Sequence, residues 1–146
     1  MFKQRAVAST PITVPPEKIF ALMADGATWA DWCSSVDAFR LERTGAADRE
    51  GPGAIRAFWF RGRTTRSEIT EVQPDRLLRY RLLSGLPFWR YVGTGTVTDG
   101  VLHWESTFYA KVPWRGGHWR RYMQDFLNDF VRELAAYADS SKEGTC

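Results

Sequence analysis

The sequence predicts an α+β domain in which an antiparallel sheet of about seven strands curls around one long C-terminal helix. Two observations carry this prediction. Residues 36 to 111 form a series of β-type segments separated by turn-forming residues, and short links between consecutive strands give antiparallel pairs. Residues 118 to 138 repeat apolar side chains at three- and four-residue steps, as an amphipathic helix does. A chain of 146 residues fits one domain with a substantial core.

The first elements follow from the prolines. An extended segment from Lys3 to Val14 stops at Pro15-Pro16, and Pro16 suits the first position of a helix, where its missing N–H is not needed. An apolar face predicts a helix from Glu17 to Ala24, which Asp25-Gly26 ends. A second short helical turn is predicted from residue 27 or 28 through Trp32.

Six further strands are predicted between turn signals. They are Val36 to Arg43, Ala54 to Arg61, Thr64 to Val72, Leu77 to Leu83, Tyr91 to Thr98 and Val101 to Lys111. Asp99-Gly100, between the last two, is a strong two-residue hairpin signal. The long helix is predicted from His118 to Ala138, and residues 139 to 146 are predicted to form a flexible tail. The single domain therefore covers residues 1 to 138.

The long helix has to cover one face of the sheet, since a large apolar surface would otherwise be left in water. The sheet is therefore expected to curl around it. A helix with its side chains is only about 10–12 Å wide, and a strongly curved sheet rarely closes tightly on one such rod. The remaining space predicts an internal cavity of the kind that binds small molecules.

Composition and charge exclude several classes of function. The net charge is only +3 and acids are mixed among the bases, which does not indicate a nucleic-acid partner. The longest apolar runs are far shorter than the ~20 residues that span a bilayer, and no apolar segment of signal-peptide type follows the basic N-terminus. We therefore expect a cytoplasmic monomer or homodimer, with no nucleic acid and no stable membrane insertion.

Motifs for metal or covalent chemistry are sparse. Cys33 and Cys146 give neither a disulfide framework nor a metal site, and Cys33 is expected to be a small buried hydrophobic residue. The sequence has no Gly-rich phosphate loop, no metal-binding His-Glu spacing and no Gly-x-Ser-x-Gly motif. No metal and no cofactor are expected.

Several local strings carry a resemblance to a known superfamily. They are Thr13-Val14-Pro15-Pro16-Glu17-Lys18-Ile19-Phe20 with Asp25, Trp29 and Trp32; Gly51-Pro52-Gly53-Ala54; Ile69-Thr70-Glu71-Val72-Gln73-Pro74 with Leu77-Leu78-Arg79-Tyr80; and His103-Trp104 with Phe108. Together with the element order, over about residues 3 to 138, they resemble the SRPBCC superfamily. This superfamily includes START domains, polyketide cyclases and the birch-pollen-allergen fold, and the strings are most similar to its polyketide cyclase/dehydrase-like branch.

The resemblance implies a helix-grip fold, in which a seven-stranded antiparallel sheet folds round a long C-terminal helix, with two short helices after the first strand and an apolar cavity. Members bind lipids, sterols, polyketides, quinones or plant hormones, and some cyclise or dehydrate a bound polyketide. The expected function is therefore binding of a hydrophobic small molecule: a lipid, a polyketide or another aromatic or isoprenoid ligand. Two alternatives stay open, a polyketide cyclase or dehydratase and a co-chaperone-like interaction module, so catalysis itself is left undecided.

Aromatic residues are more numerous than a core of this size needs, and each offers a flat face to a ring-shaped ligand. The predicted ligand-binding residues are Trp29, Phe58, Phe60, Tyr80, Trp89, Tyr91, Trp104, Phe108, Trp119, Met123 and Phe126. Trp29 is expected toward the cavity rim, whereas Trp32 is expected to anchor the short helices against the sheet and the long helix. Ordinary packing is the alternative for each.

Five residues are candidates for acid–base chemistry if the protein is an enzyme: Arg56, Arg66, Glu68, Tyr80 and His103. The resemblance to polyketide cyclases implies an arginine and a tyrosine, or other polar residues, that polarise a carbonyl inside the cavity. Strand alternation gives Arg56 the same face as Phe58 and Phe60, and gives Arg66 the face of Glu68, away from Ile69. Solvated sheet residues are the alternative for each.

The orientation of His103 depends on the phase of its strand. If Trp104 and Phe108 face the cavity, His103 faces solvent. With the opposite phase, which a bulge could produce, His103 lines the cavity together with Glu105 and Tyr109.

The stretch Trp114-Arg115-Gly116-Gly117-His118-Trp119-Arg120-Arg121 mixes bases with tryptophans. A solvated, arginine-rich helix start explains the stretch, and a nucleic-acid or membrane-surface site is the alternative. In the fold that the resemblance implies, His118 lies near the cavity mouth.

Overall fold

The computed structural model describes residues 2 to 143, with side chains described up to residue 140. Within this range the strands are β1 (Gln4–Pro11), β2 (Val36–Arg43), β3 (Ile55–Phe60), β4 (Arg63–Gln73), β5 (Leu77–Ser84), β6 (Phe88–Thr98) and β7 (Val101–Ala110). The α-helices of the same range are α1 (Pro16–Ala24), α2 (Trp29–Trp32) and α3 (Gly116–Glu143). A 3₁₀ turn precedes α2 (Gly26–Thr28) and another precedes α3 (Pro113–Arg115).

The strands form one antiparallel seven-stranded sheet in the order β1-β7-β6-β5-β4-β3-β2. Register shifts interrupt the β2–β3, β4–β5 and β6–β7 pairs. Such bulges bend a strand and increase its local twist, so they help the sheet to curl. The predicted helix-grip fold, with a curled sheet, a long C-terminal helix and two short helices after the first strand, is confirmed.

The helix α3 packs along one side of the sheet, on β1 and β7. Its buried residues are Met123, Leu127, Phe130, Val131, Leu134 and Ala138. Gln124 also fastens the helix to the backbone of the edge strand β1, since Val7 N–H donates to Gln124 Oε1 at 3.1 Å and Gln124 Nε2 donates to the Val7 carbonyl at 2.5 Å. The neighbouring face of α3 is turned toward β3, β4 and β5, and the space between them is the cavity described below.

Several element boundaries differ from the prediction; β1, for example, ends at Pro11 and not at Val14. The long helix starts at Gly116 and continues to Glu143, so the predicted tail is helical at its start, where Asp139 Oδ1 accepts a hydrogen bond from Thr13 Oγ1 at 2.6 Å. Residues 144 to 146 of that tail lie outside the described residues. The strand β6 begins at Phe88 instead of Tyr91. A bulge with Arg90 at φ 51° leaves both Trp89 and Arg90 exposed, so the alternation of buried and exposed residues that would predict a strand is interrupted here.

The glycines of β6 make room for the aromatic core. A Cβ atom on Gly95 would lie 2.6 Å from the Trp104 ring and 2.7 Å from the Met23 methyl. A Cβ atom on Gly93 would lie 2.3 Å from the Tyr80 ring. These two positions therefore set where Trp104 and Tyr80 lie.

Gly95→Ala is expected to lower the free energy of unfolding by about 1–3 kcal/mol, because the added methyl has to displace the rigid Trp104 ring. Gly117→Ala is the control, since a Cβ atom there meets nothing within 4 Å. Urea denaturation followed by circular dichroism measures both. Equal midpoints for the two variants would contradict the steric role of Gly95.

Candidate functional site

A cavity of about 590 Å³ lies between the inner face of the sheet and α3. Its apolar wall is formed by residues of α2, β3, β5, β6, α3 and the β5–β6 connection. They are Trp29, Phe58, Phe60, Leu82, Leu86, Tyr91, Trp119, Met123, Phe126, Leu127 and Phe130. Many of these rings pack on each other, as Trp29 does on Phe58 with centroids 4.3 Å apart. A ring held by neighbouring rings keeps its face in a fixed direction, so the wall is a preformed surface for a flat apolar ligand.

A buried arginine lies in this apolar wall. The Arg56 side chain is 3% exposed, and its guanidinium carbon lies 4.7 Å from the Trp29 ring centroid and 5.1 Å from that of Phe58. Alternation along β3 turns it inward with Phe58, as the sequence predicted. Burial lowers the pKa of Arg56 to about 10, so the side chain still carries its positive charge at neutral pH.

The partners of Arg56 are loosely placed. Its Nη1 lies 3.9 Å from Glu50 Oε1 and donates long hydrogen bonds to the carbonyls of Met23 at 3.4 Å and Ala24 at 3.5 Å. Glu50 is held in turn by the Gly26 N–H, which donates to its Oε1 at 3.0 Å. Charge-assisted hydrogen bonds are normally about 2.7–2.9 Å long, so this guanidinium retains the capacity to bind a stronger acceptor.

Two tyrosines, the half-buried Tyr80 and the buried Tyr91, lie on the same cavity surface. Tyr80 Oη accepts a hydrogen bond from Trp104 Nε1 at 3.1 Å, and the Tyr91 hydroxyl is hydrogen-bonded to Ser106 Oγ at 2.7 Å. The two tyrosines also interact with each other, and Tyr80 interacts electrostatically with Arg56. Burial raises the pKa of both phenols, so both are neutral near pH 7 and can donate a proton or a hydrogen bond.

The mouth of the cavity is polar. Arg61 and Arg63, at the β3–β4 turn, lie on one side of it. His118, Asp125 and Asp129 lie on the other side, along α3. A ligand therefore passes a charged rim before it reaches the apolar wall and the buried Arg56.

The structure brings most of the predicted ligand-binding residues to the cavity. Trp29, Phe58, Phe60, Tyr80, Tyr91, Trp119, Met123 and Phe126 line it. Trp104 and Phe108 point inward, but they lie behind the wall at 0% exposure, and Phe108 stacks on Phe88 with centroids 4.2 Å apart. Trp89 is on the outer surface at 53% exposure, because the β6 bulge reverses its side, so its placement in the cavity was wrong.

Three of the catalytic candidates lie on the outer face of the sheet, which agrees with the solvated alternative for Arg66 and Glu68 and with the solvent-facing phase for His103. Arg66 pairs with Glu42 at 2.6 Å, Glu68 pairs with Arg81 at 2.7 Å, and His103 is hydrogen-bonded to Ser9 at 2.8 Å. The reason is strand alternation, which turns Thr65, Ser67 and Ile69 inward on β4, and Trp104 and Phe108 inward on β7. Arg56 and Tyr80 remain as candidates.

The tryptophan pair also differs from the expectation. Trp29 lies on the cavity wall at 3% exposure, with Nε1 donating to the Met23 carbonyl at 3.2 Å, so it belongs to the interior and not to the rim. Trp32 packs on Phe130 with centroids 5.0 Å apart and anchors α2 against the long helix, as expected.

Several lining residues were missed at the sequence level. Ser35, Thr65, Ser67 and Cys33 line the cavity, although each is small. The inward phase of Ile69 on the same strand was the signal for Thr65 and Ser67. Cys33 was expected to be a buried hydrophobic residue, which is confirmed, but its position on the cavity wall had no sequence signal.

Metal sites and membrane-crossing helices would indicate other kinds of function. Among the described residues, no cluster of three or more His, Cys, Asp or Glu side chains is arranged to hold a metal ion. None of the helices in the described part of the chain combines the length and the apolarity that crossing a membrane requires.

The Cys33 thiol is expected to be nearly inert in the folded protein, because burial raises its pKa from 9.0 to about 11. In a Cys146→Ser variant, its thiolate fraction at pH 8 falls about a hundredfold below that of an ordinary thiol, and reaction with a chromogenic disulfide reagent slows at least as much. Urea should restore the ordinary rate. Fast labelling of the native variant would contradict the burial of Cys33.

Comparison with solved structures shows the same fold in distant proteins. A START superfamily protein from Mycobacterium smegmatis is similar at a TM-score of 0.82 and 10% identity, covering 94% of this chain and 98% of that one. The Zhui aromatase/cyclase from Streptomyces sp. R1128 gives 0.81 and 12%, covering 94% of each chain. The major latex-like protein 151 from Panax ginseng gives 0.79 and 12%, covering 94% and 99%.

Sequence comparison gives the family. A search among curated protein sequences found no match. Residues 3–139 match the family described as "Polyketide cyclase / dehydrase and lipid transport". Because this match spans almost all of the fold described above, the chain belongs to the polyketide cyclase/dehydrase and lipid transport family.

Proposed function

We propose that the protein binds a mainly apolar, ring-containing molecule in the cavity between the sheet and α3, with an oxygen atom of that molecule directed at Arg56. The observation that carries the proposal is a buried, loosely paired guanidinium in an otherwise aromatic wall. A cavity of about 590 Å³ is of the size that holds a drug-sized ligand. A polyketide or another aromatic compound fits this description better than a simple aliphatic chain.

The positions of the polar groups favour one orientation of the ligand. Arg56 and Tyr91 are buried and Tyr80 is half-buried. Phe60 and Phe126 belong to the apolar wall of the same cavity, and their ring centroids are 5.6 Å apart. A carbonyl or phenolic oxygen placed at Arg56 and Tyr80 would accept hydrogen bonds from both, while the rings of the ligand stack on the aromatic wall. The oxygen thus sets the orientation and the apolar body supplies most of the affinity.

A cavity-filling variant tests this proposal. Ser67 lies on the inner face of β4 and lines the cavity, so Ser67→Phe is expected to occupy ligand space while the outer surface stays unchanged. The wild-type protein should show a raised melting temperature with a hydroxyanthraquinone and a smaller rise with a long-chain fatty acid. The Ser67→Phe variant should bind the hydroxyanthraquinone at least tenfold more weakly, because the phenylalanine side chain occupies the space that the ligand rings need.

Thr70→Phe is the matched control, since Thr70 lies on the outer face of the same strand. It should bind as the wild-type protein does. Equal binding by Ser67→Phe and the wild type would overturn the cavity as the binding site, and the absence of any response across rings, sterols and fatty acids would overturn the proposal as a whole.

A second candidate function is cyclisation or dehydration of a bound polyketide, and the convergence of Arg56 with Tyr80 favours it. Arg56 would stabilise the enolate oxygen that forms when a water molecule takes a proton from the carbon between two carbonyls. That carbon then attacks a second carbonyl carbon of the same chain, and the oxygen of this carbonyl takes a proton from Tyr80. The tyrosinate of Tyr80 then regains a proton from the protonated water. Loss of the new hydroxyl with a hydrogen from the neighbouring carbon releases water, and enolisation of the remaining ring carbonyls makes the ring aromatic.

Tyr80→Phe tests the catalytic alternative, because it removes one hydroxyl and leaves the ring. Turnover of a linear poly-β-ketone thioester, followed as loss of water by mass spectrometry, should fall about 10²–10⁴-fold if Tyr80 transfers the proton. Tyr109→Phe, at a half-exposed position on the other face of β7, should keep wild-type turnover. Turnover that survives Tyr80→Phe would exclude this role, and binding without turnover in the wild type would leave ligand binding as the function.

The remaining expectations are part of the same proposal. A deep preformed cavity is better suited to a small ligand than to a co-chaperone-like role, for which an apolar surface without a pocket would be needed. We also propose that the protein is a cytoplasmic monomer or homodimer. Its low net charge supports the absence of a nucleic-acid partner.

A further inference from the structure

One end of the molecule carries an exposed surface that the cavity does not explain. We call it the basic aromatic face, and it consists of Leu83, Trp89, Arg90, Lys111, Val112, Trp114, Arg115, Arg120 and Arg121. These residues come from the end of β5, the start of β6, the segment after β7 with its 3₁₀ turn, and the first turns of α3.

Backbone and side-chain contacts join these segments into one surface. Lys111 N–H donates to the Pro87 carbonyl at 2.9 Å, which fixes the segment after β7 beside the β5–β6 connection. The Lys111 Nζ lies 4.5 Å from the Trp89 ring centroid. The Arg115 N–H donates to the Val112 carbonyl at 3.0 Å, and this 3₁₀ turn projects Trp114 into solvent.

The charge of the face has one sign. The sequence has no Asp or Glu from residue 76 to 98 or from 106 to 124, whereas the face carries Arg90, Lys111, Arg115, Arg120 and Arg121. The ion pairs of the described side chains involve other arginines, such as Arg5, Arg66 and Arg79. A net charge of +3 for the whole chain therefore hides a strongly basic end.

Apolar side chains are exposed on the same face. Trp114 is 85% exposed, Trp89 53%, Val112 38% and Leu83 37%. A scattered apolar residue on a surface needs no explanation, but tryptophans and aliphatic residues set among unpaired bases form a pattern. Tryptophan prefers the headgroup level of a bilayer, and nearby lysines and arginines are attracted to anionic lipids.

We propose that the basic aromatic face docks peripherally on an anionic lipid bilayer. The exposed aliphatic residues Val112 and Leu83 favour a bilayer over a nucleic acid. Aliphatic side chains form no hydrogen bonds with phosphates or base edges, whereas they can enter the boundary between headgroups and acyl chains beside Trp114. The solvated helix start expected from the sequence explains the arginines but not the exposed tryptophans. Docking of this kind is reversible and leaves the folded domain outside the bilayer.

The face adjoins the mouth of the cavity. Three lining residues of the cavity follow Arg115 on α3: His118 at the mouth, Trp119 in the wall, and Tyr122, which is 48% exposed. Docking would therefore bring the His118 end of the opening close to the lipid surface, with Asp125 and Asp129 further along α3, so that an apolar ligand could pass between bilayer and cavity by a short path. The docking proposal stands on the surface alone and does not depend on what occupies the cavity.

Vesicle co-sedimentation tests the proposal with the full chain. The protein should bind vesicles of phosphatidylcholine with phosphatidylserine, bind pure phosphatidylcholine vesicles weakly, and be released by salt. Arg115→Gln/Arg120→Gln/Arg121→Gln should weaken partition on the order of a hundredfold, since each arginine near an anionic surface contributes about fivefold. Trp114→Ala should weaken it as well and reduce the quenching of tryptophan fluorescence by brominated lipid.

The matched control removes the same charge elsewhere. Arg40→Gln/Arg49→Gln/Arg76→Gln replaces three exposed arginines outside the face and should keep wild-type partition. An equal loss of vesicle partition in the two triple variants would show that binding depends on net charge alone, which would overturn the proposal. Binding of an RNA oligonucleotide or an acidic protein, without binding of the anionic vesicles, would overturn it in favour of that partner. The ligand response of the cavity, measured without vesicles, should be unchanged in Trp114→Ala.

Discussion

The architecture depends on how α3 packs on one side of a curled sheet. The helix is fastened to β1 and β7 by small inward residues such as Ala6 and Ala8 and by the two hydrogen bonds between Gln124 and Val7. A helix held that closely to one side cannot also fill the space in front of β3, β4 and β5. The cavity therefore follows from the packing of α3 on the sheet. Most of the aromatic residues that line it also belong to the hydrophobic core.

Within that space Arg56 is the group with the largest consequences. Its charge is removed from water, faces two aromatic rings and is opposed by Glu50 at 3.9 Å, a distance that gives a weak ion pair. Glu50 is itself partly buried, and burial raises its pKa, so neither partner is well satisfied by the other. A buried cation with long, weak contacts beside neutral phenols would suit a ligand oxygen, and both proposed functions rely on this arrangement. The two proposals therefore share one site and differ in whether Tyr80 transfers a proton to the bound molecule.

The sequence allowed the fold to be predicted because turn residues and helical periodicity are local signals, and the inward phase of Arg56 with Phe58 followed from alternation. Arg66 and Glu68 were placed on one face correctly, but which face is inner depends on Ile69 and on the closure of the sheet, which is a nonlocal property. Trp89 was misplaced because the bulge at Arg90 reverses the phase of β6. The pairing of Glu50 with Arg56 joins a loop to a strand, and no spacing in the sequence indicates it.

The most direct test of a ligand between sheet and helix uses the methionine methyl groups. Met123 of α3 lines the cavity, whereas the Met23 methyl packs behind the wall near Gly95 and Trp104. In protein labelled with ¹³C at the methionine methyls, titration with a hydroxyanthraquinone should shift the Met123 resonance strongly, show contacts between its methyl and the ligand rings, and leave Met23 nearly unchanged. An unmoved Met123 resonance under saturating ligand, or ligand contacts from the outer face alone, would contradict the account.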